Sequence, residues 1–310
     1  MSGPPLSIVV AVTGEGDAPR PDAAPAPGWL AALLREAARS PGAEVLVIGD
    51  VGRHAPFYQA RAGEAGVVLR VVLAPRRALV PELWGAGLHA ARGAVVAFSI
   101  DQCVVAEGWG ETALAGIAAG DAGVGGPISL APDASRTARA IYYLRYTAFL
   151  PLTGGVTRRA GEIAGDNAAY SRSVLLRYPH AFHHGFWEVE AHHLMRADGA
   201  TLSLLAGMTA TFGGSPSLIT FIGQRFAHGA HFGAWRVAAG GRRPWQVVVG
   251  APFVPVILLL RKSATLRRMP GGLGKLASAV VPFLTLAAAW ASGEAAGAMR
   301  GRPPSGIRED

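Results

Sequence analysis

The sequence predicts an α/β fold: a mostly parallel sheet flanked by helices, with an apolar helical hairpin after it. Three observations lead there. Short β-branched runs alternate with helical stretches over residues 6–130, as in a parallel sheet with helices on its faces. Two apolar stretches follow Pro244, and most of the excess positive charge lies around them.

Residues 6–12, 44–48, 67–73 and 95–100 read as buried strands, being short and rich in Val, Ile and Leu. Residues 29–39 and 79–91 carry apolar side chains at helical spacing. Gly42 and Gly93 stand just past their ends, where glycine commonly stops a helix. The proline-rich insert 14–28 reads as a loop. Residues 131–240 are less regular. An aromatic-rich helix is expected over 138–150, a second over 188–197, and a strand near 201–205. In 217–239, Phe221, Arg225, His228, Phe232 and Arg236 fall three or four apart, which puts an aromatic and basic face on one helix. Gly165-Asp166-Asn167 reads as a turn before a short helix near 172–178.

Half of the 310 residues are hydrophobic, 16% are charged, and the mean hydropathy is +0.29. That is apolar for a soluble enzyme and short of a polytopic membrane protein. A single cysteine, Cys103, excludes a disulfide framework and a cysteine-based zinc site. The apolar run 6–12 lacks the length and the basic flank of a signal peptide. From 241 to 310 there are ten Arg and Lys against three Asp and Glu, so +7 of the net +8 lies in the last 70 residues. Cations beside apolar segments suit an anionic membrane surface, whereas nucleic acid would call for basic and aromatic residues interleaved along the main domain. The expected organisation is one large domain, 1–240, made of a 1–130 half and a 131–240 half. Residues 241–310 would form a membrane-associated hairpin and basic tail.

The two apolar stretches, 247–260 and 276–290, are shorter than the roughly 20 residues of a spanning helix and contain Pro252, Pro255 and Pro282. Between them lie Arg261, Lys262, Arg267, Arg268 and Lys275, with no acid. Outside them lie Arg242, Arg243, Arg300, Arg302 and Arg308. The positive-inside rule wants both sets cytoplasmic. A hairpin that enters the bilayer partway satisfies both. Residues 244–295 are therefore expected to attach the chain to the cytoplasmic face of the membrane.

The order of landmarks along the main domain resembles the family-2 glycosyltransferases, which have a GT-A fold. A first strand, Ser7-Ile-Val-Val-Ala-Val, is followed by a second that ends in an acid, Glu44-Val-Leu-Val-Ile-Gly-Asp50. Trp84-Gly-Ala-Gly87-Leu-His-Ala-Ala-Arg92-Gly93 is similar to the family's N-x-G-x-x-x-A-x-G helix. It leads to a strand closing on Phe98-Ser-Ile-Asp101-Gln-Cys. Gly165-Asp166-Asn167-Ala-Ala-Tyr170 resembles G-x-N-x-x-(F/Y). Phe186-Trp187-Glu188-Val189-Glu190 occupies the place of the E-D motif, and Gln224-Arg225-Phe-Ala-His228 resembles a relaxed Q-x-x-R-W. The apolar C-terminal segment is similar to the terminal hairpin of membrane-attached members.

The resemblance implies an inverting transfer of sugar from a nucleotide-sugar to a lipid-linked or glycan acceptor. Asp50 would accept a hydrogen bond from the nucleotide base, with Glu15 a further nucleotide-binding candidate. Asp101 would contact the diphosphate, through Mg2+ or Mn2+, or the ribose. Its neighbours are Ile100 and Gln102, so the family's Asp-x-Asp turn keeps one acid here. Glu188 would be the base that deprotonates the acceptor hydroxyl, with Glu190 as fallback. Asp166, Asn167 and Trp187 would line the acceptor and sugar pocket. Gln224, Arg225 and His228 would contact the diphosphate. His183, His184, His192 and His193 lack the i,i+4 spacing of a helical metal pair and read as surface or pocket histidines. The alternative implied by the lost acids is a non-catalytic, nucleotide-binding or scaffolding membrane protein.

Overall fold

A computed structural model describes residues 3–14, 26–151, 157–182 and 184–301, and the chain forms two compact units. The first comprises residues up to 131 together with 149–213. The second comprises 132–148 and the segment from 214 onward. The boundary expected at 240 thus falls inside the second unit.

In the first unit, β1 (Leu6–Ala11), β2 (Glu44–Gly49) and β4 (Val95–Ile100) are buried along their whole length. With the edge strand β3 (Val68–Leu73) they form a parallel half-sheet in the order β3-β2-β1-β4. α1 (Gly28–Arg39) buries Trp29, Leu30, Leu33, Leu34 and Ala37, the apolar stripe legible from spacing. α3 (Val80–Ala90) lies close because of a glycine: a Cβ at Gly87 would sit 2.2 Å from Val9 Cγ1. α2 (Ala55–Glu64) and α4 (Trp109–Ala118) complete the layers. Glu36 of α1, 1% exposed, accepts from the backbone N–H groups of Gly108 (3.2 Å) and Gly110 (3.0 Å), satisfying donors at the start of α4.

Beyond β4 the sheet becomes mixed: β9 and β8 run opposite to the other strands, which stay parallel to one another as expected. Its eight strands run β3-β2-β1-β4-β9-β6-β10-β8. β9 (Asn167–Ser171) is antiparallel to both β4 and β6 (Gly123–Gly125). β10 (Leu202–Leu204) is parallel to β6 and antiparallel to β8 (Arg158–Ala160). A second sheet orders β5 (Cys103–Val105), β11 (Ala210–Phe212) and β7 (Ile128–Leu130) as β5-β11-β7. These strands are short and often small-residue, so they lack the β-branched signal of the first half. Asn167, expected in a turn, opens β9. α6 is a single turn, Arg172–Leu175, and α7 spans Glu188–Ala197.

The second unit is helical. α5 (Arg136–Arg145), capped by Ser135, is shorter than expected and ends well before residue 150. α8 (Leu218–Ala238), capped by Ser217, lies on α12 (Val280–Arg300) through facing glycines. A Cβ at Gly229, Gly233, Gly293 or Gly297 would meet backbone of the other helix within 1.8–2.1 Å. Arg236 and Glu294 pair across the same contact at 2.5 Å.

The first apolar stretch is longer than expected. α9 (Pro244–Gly250), a 3-10 turn (Ala251–Phe253) and α10 (Val254–Leu266) join into one 23-residue helix with mean hydropathy 1.7 over its most apolar window. Pro252 and Pro255 do not end it, because each sits in the first turn of a segment, where no backbone donor is needed. It is long and apolar enough to cross a membrane, and only 6% of that window is buried. Within this unit it packs one side on α12. Trp245, Val249, Phe253, Val256, Ile257 and Leu260 form an exposed stripe on the other. α12, by contrast, buries Phe283, Leu286, Ala287 and Ala291. α11 (Gly272–Ala277) lies between α10 and α12 in the chain.

Candidate active site

The parallel half-sheet sets where a ligand belongs. After β1 the chain moves outward to β2 and β3, then returns to place β4 on the other side of β1. That reversal opens a crevice at the carboxyl ends of β1 and β4. Ala11 pairs with both Ile48 and Ile100, so Asp50 and Asp101 stand just past the strand ends on either side of β1. With neighbouring strands about 4.8 Å apart, β2 and β4 are roughly 10 Å from each other.

Asp101 is 4% exposed and engaged with the protein's own chain. Its Oδ1 accepts from Thr13 Oγ1 (2.9 Å), and its Oδ2 accepts from the backbone N–H groups of Thr13 (3.2 Å) and Gly14 (3.0 Å). The carboxylate thus clasps the start of the loop after β1. Tyr58 is fully buried. Burial pushes its hydroxyl pKa upward, and the Asp101 charge adds to the shift. Gln102 follows Asp101 in the turn to β5, its carbonyl accepting from Gly213 N–H at 2.9 Å. Among the described residues, Tyr58 Oη and Gln102 Nε2 are buried without a hydrogen-bond partner. Asp50 is exposed. Glu15 lies outside the described residues, as does His183. Among the described residues no three His, Cys, Asp or Glu side chains converge as metal ligands, and Cys103 is buried in β5. The expected divalent cation therefore finds one carboxylate already engaged by three donors, next to an amide, which is a poor fit.

On the other side of β4 three sequence landmarks meet at one point. Gly165 N–H donates to Glu188 Oε2 at 3.1 Å. A Cβ at Gly165 would lie 2.3 Å from that oxygen and 2.6 Å from Trp84 Cζ3, so only glycine lets α3, the 161–166 loop and α7 come this close. Trp84 is held by its Nε1–H to Ser99 O (3.0 Å) and packs against Phe98, which in turn contacts Tyr170 and Phe186. Glu188 is half-buried in the first turn of α7, where the helix favours an acid. Glu190 is also half-buried, on a different face.

The same loop is tied a second time. His192 and Tyr170 are fully buried. His192 bonds Tyr170 Oη through Nε2 (2.8 Å) and Glu162 through Nδ1 (2.5 Å), and Arg196 reaches Glu162 at 3.3 Å. His192 is thus neither a surface nor a pocket histidine. A single sequence holds no sign of this chain, because its partners come from a strand, a loop and a helix.

Asn167 is fully buried, and its amide serves the fold. Its Oδ1 accepts from Trp109 Nε1–H at 2.6 Å, and its Nδ2 donates to Pro127 O and Met208 O. Asp166 is 1% exposed beside it. Trp187 is largely buried, its Nε1–H reaching His184 O at 3.3 Å. Gln224, Arg225 and His228 belong to the second unit, half-buried on α8. There desolvation, then the Arg225 and Arg145 charges, then His231, hold the His228 imidazole well below its ordinary pKa.

No protein-family model matches the chain, and no curated protein does. Among solved structures it is similar to GalNAc-T7 with UDP, GalNAc and Mn2+, at 15% identity and a TM-score of 0.45 over 71% of this chain; it spans 47% of that chain, about half its length. It is also similar to residues 1–349 of S. aureus TarS, at 12% identity and a TM-score of 0.45 over 91% of this chain and 89% of that one. At this level no residue of this chain is matched to a residue of theirs.

Proposed function

We propose that the chain is a nucleotide-sugar-dependent glycosyltransferase of the inverting, hexose-transferring kind, acting at the cytoplasmic face of a membrane on a lipid-linked or glycan acceptor. The observation that carries the reading is the meeting of Trp84, Gly165 and Glu188, three separate motifs drawn to one carboxylate. Asp50, Thr13 and Gly14 mark the nucleotide end of the crevice. Glu188 takes the proton of an acceptor hydroxyl as that oxygen bonds to the anomeric carbon. The bond from that carbon to the donor phosphate oxygen breaks, and the electron pair leaves on the nucleoside diphosphate. The exposed stripe of the helix Pro244–Leu266, between Arg242–Arg243 and the basic cluster 261–268, supports the membrane location.

Hydrolysis and transfer from a panel of nucleotide-sugars, with lipid and glycan acceptors, test the reading directly. Turnover of one of them supports it, and inertness toward all of them rejects it. The carboxylate of Asp101, already accepting three hydrogen bonds, favours a second reading, a nucleotide-binding scaffold without turnover. Nucleoside diphosphate binding without any transfer would mark that one.

A further inference from the structure

A nucleoside diphosphate brings concentrated negative charge. Either a divalent cation on carboxylates or fixed donors and cations of the protein must offset it. The turn after β4 is not built for the first solution. Both oxygens of Asp101 already accept hydrogen bonds from Thr13 and Gly14. The residues on either side, Ile100 and Gln102, carry no charge. Gln102 is 4% exposed and its Nε2 has no partner among the described residues; an amide N–H repels a cation and suits a phosphate oxygen. Tyr58 Oη is a second buried donor without a partner, near enough to Asp101 to feel its charge. Buried donors of this kind are rarely left unmatched. One engaged carboxylate and two unmatched donors make a site for an anion. The same sheet edge carries cations: Arg53 follows β2, and the exposed Arg76 and Arg77 follow β3.

Resting on the transferase reading, we infer that the crevice takes a nucleoside diphosphate without a divalent cation. Gln102 donates to it, and Arg53, Arg76 and Arg77 supply the positive charge. The test uses the full chain in detergent, titrated calorimetrically with UDP, GDP, ADP, CDP and dTDP in EDTA, in Mg2+ and in Mn2+. At least one nucleotide binds, with dissociation constants in EDTA and in metal agreeing within about threefold. Gln102→Glu, close in shape, weakens binding in EDTA by about tenfold or more, and Mn2+ restores part of the loss. Arg76→Ala with Arg77→Ala, both exposed and harmless to folding, weakens binding under every condition. Melting curves without nucleotide establish that Gln102→Glu is folded, with Gln102→Ala as substitute. Binding that needs Mg2+ or Mn2+ overturns the inference and leaves the transferase reading standing. Indifference of binding to both sets of variants overturns it as well. No binding of any nucleotide, with or without metal, overturns inference and reading together.

Discussion

Glu188 and Glu190 differ in what surrounds them, and substitution separates them. Glu188→Gln keeps the shape of the side chain but cannot accept a proton. Transfer should fall by about three orders of magnitude or more while nucleotide affinity stays within about twofold. Glu190→Gln should be milder. Rates and affinities measured side by side check this, and the reverse ranking would shift the base by two residues. Glu44, at the opposite edge of the sheet, is a residue of stability. Burial alone would raise its pKa. Hydrogen bonds from Ser7 Oγ (2.7 Å), Arg92 N–H (2.8 Å) and Arg70 outweigh that and hold it below the ordinary 4.5. A depressed carboxylate stabilises the fold above its unfolded pKa and loses that contribution as pH falls through the folded value. Denaturation between about pH 6 and 3 should show a stability loss below pH 4.5 that is absent in Glu44→Gln. The sequence named Glu188 by position. It could not reveal that Asp101 clasps Thr13 and Gly14 or that Asn167 serves the core, since both depend on neighbours 40 to 88 residues away.

Elements with strong periodicity were legible in the sequence. β1, β2 and β4 stand within a residue of their expected bounds, and α7 matches its expected range. The prolines at 252 and 255 misled in the other direction, because a helix restarted by a 3-10 turn accepts them. The contact of α8 with α12 yields a sharp test. Gly297→Leu drives a side chain into the carbonyl of Ala230, 1.8 Å from where its Cβ would lie. Overpacking against backbone should cost about 3 kcal/mol or more, while Gly274→Leu, with open space around it, should cost little. Melting temperatures of the two variants decide it, and equal losses would rule out the close contact as the cause.

At the scale of the molecule, attachment to the bilayer should depend on the exposed stripe of one helix. Phe253→Glu with Leu260→Glu should release the chain from anionic vesicles in flotation, whereas equivalent changes at Thr285 and Ser292 should not. The helix is long enough to cross, so side matters: Cys at Ser263 should resist an impermeant thiol reagent in intact cells and react after lysis. Labelling in intact cells would show a spanning helix. The grouping of residues 132–148 with the helices after 214 has a consequence for biosynthesis. α5 is complete in the chain once residue 145 is made, yet its partners α11 and α12 begin only at 272 and 280. At about 5–20 residues per second the nascent α5 waits several seconds with its aromatic face uncovered. A chaperone that reads emerging apolar segments has its window there. Chains truncated at residue 240 leave α5 without those partners permanently, and they should accumulate as insoluble protein however well the first unit folds.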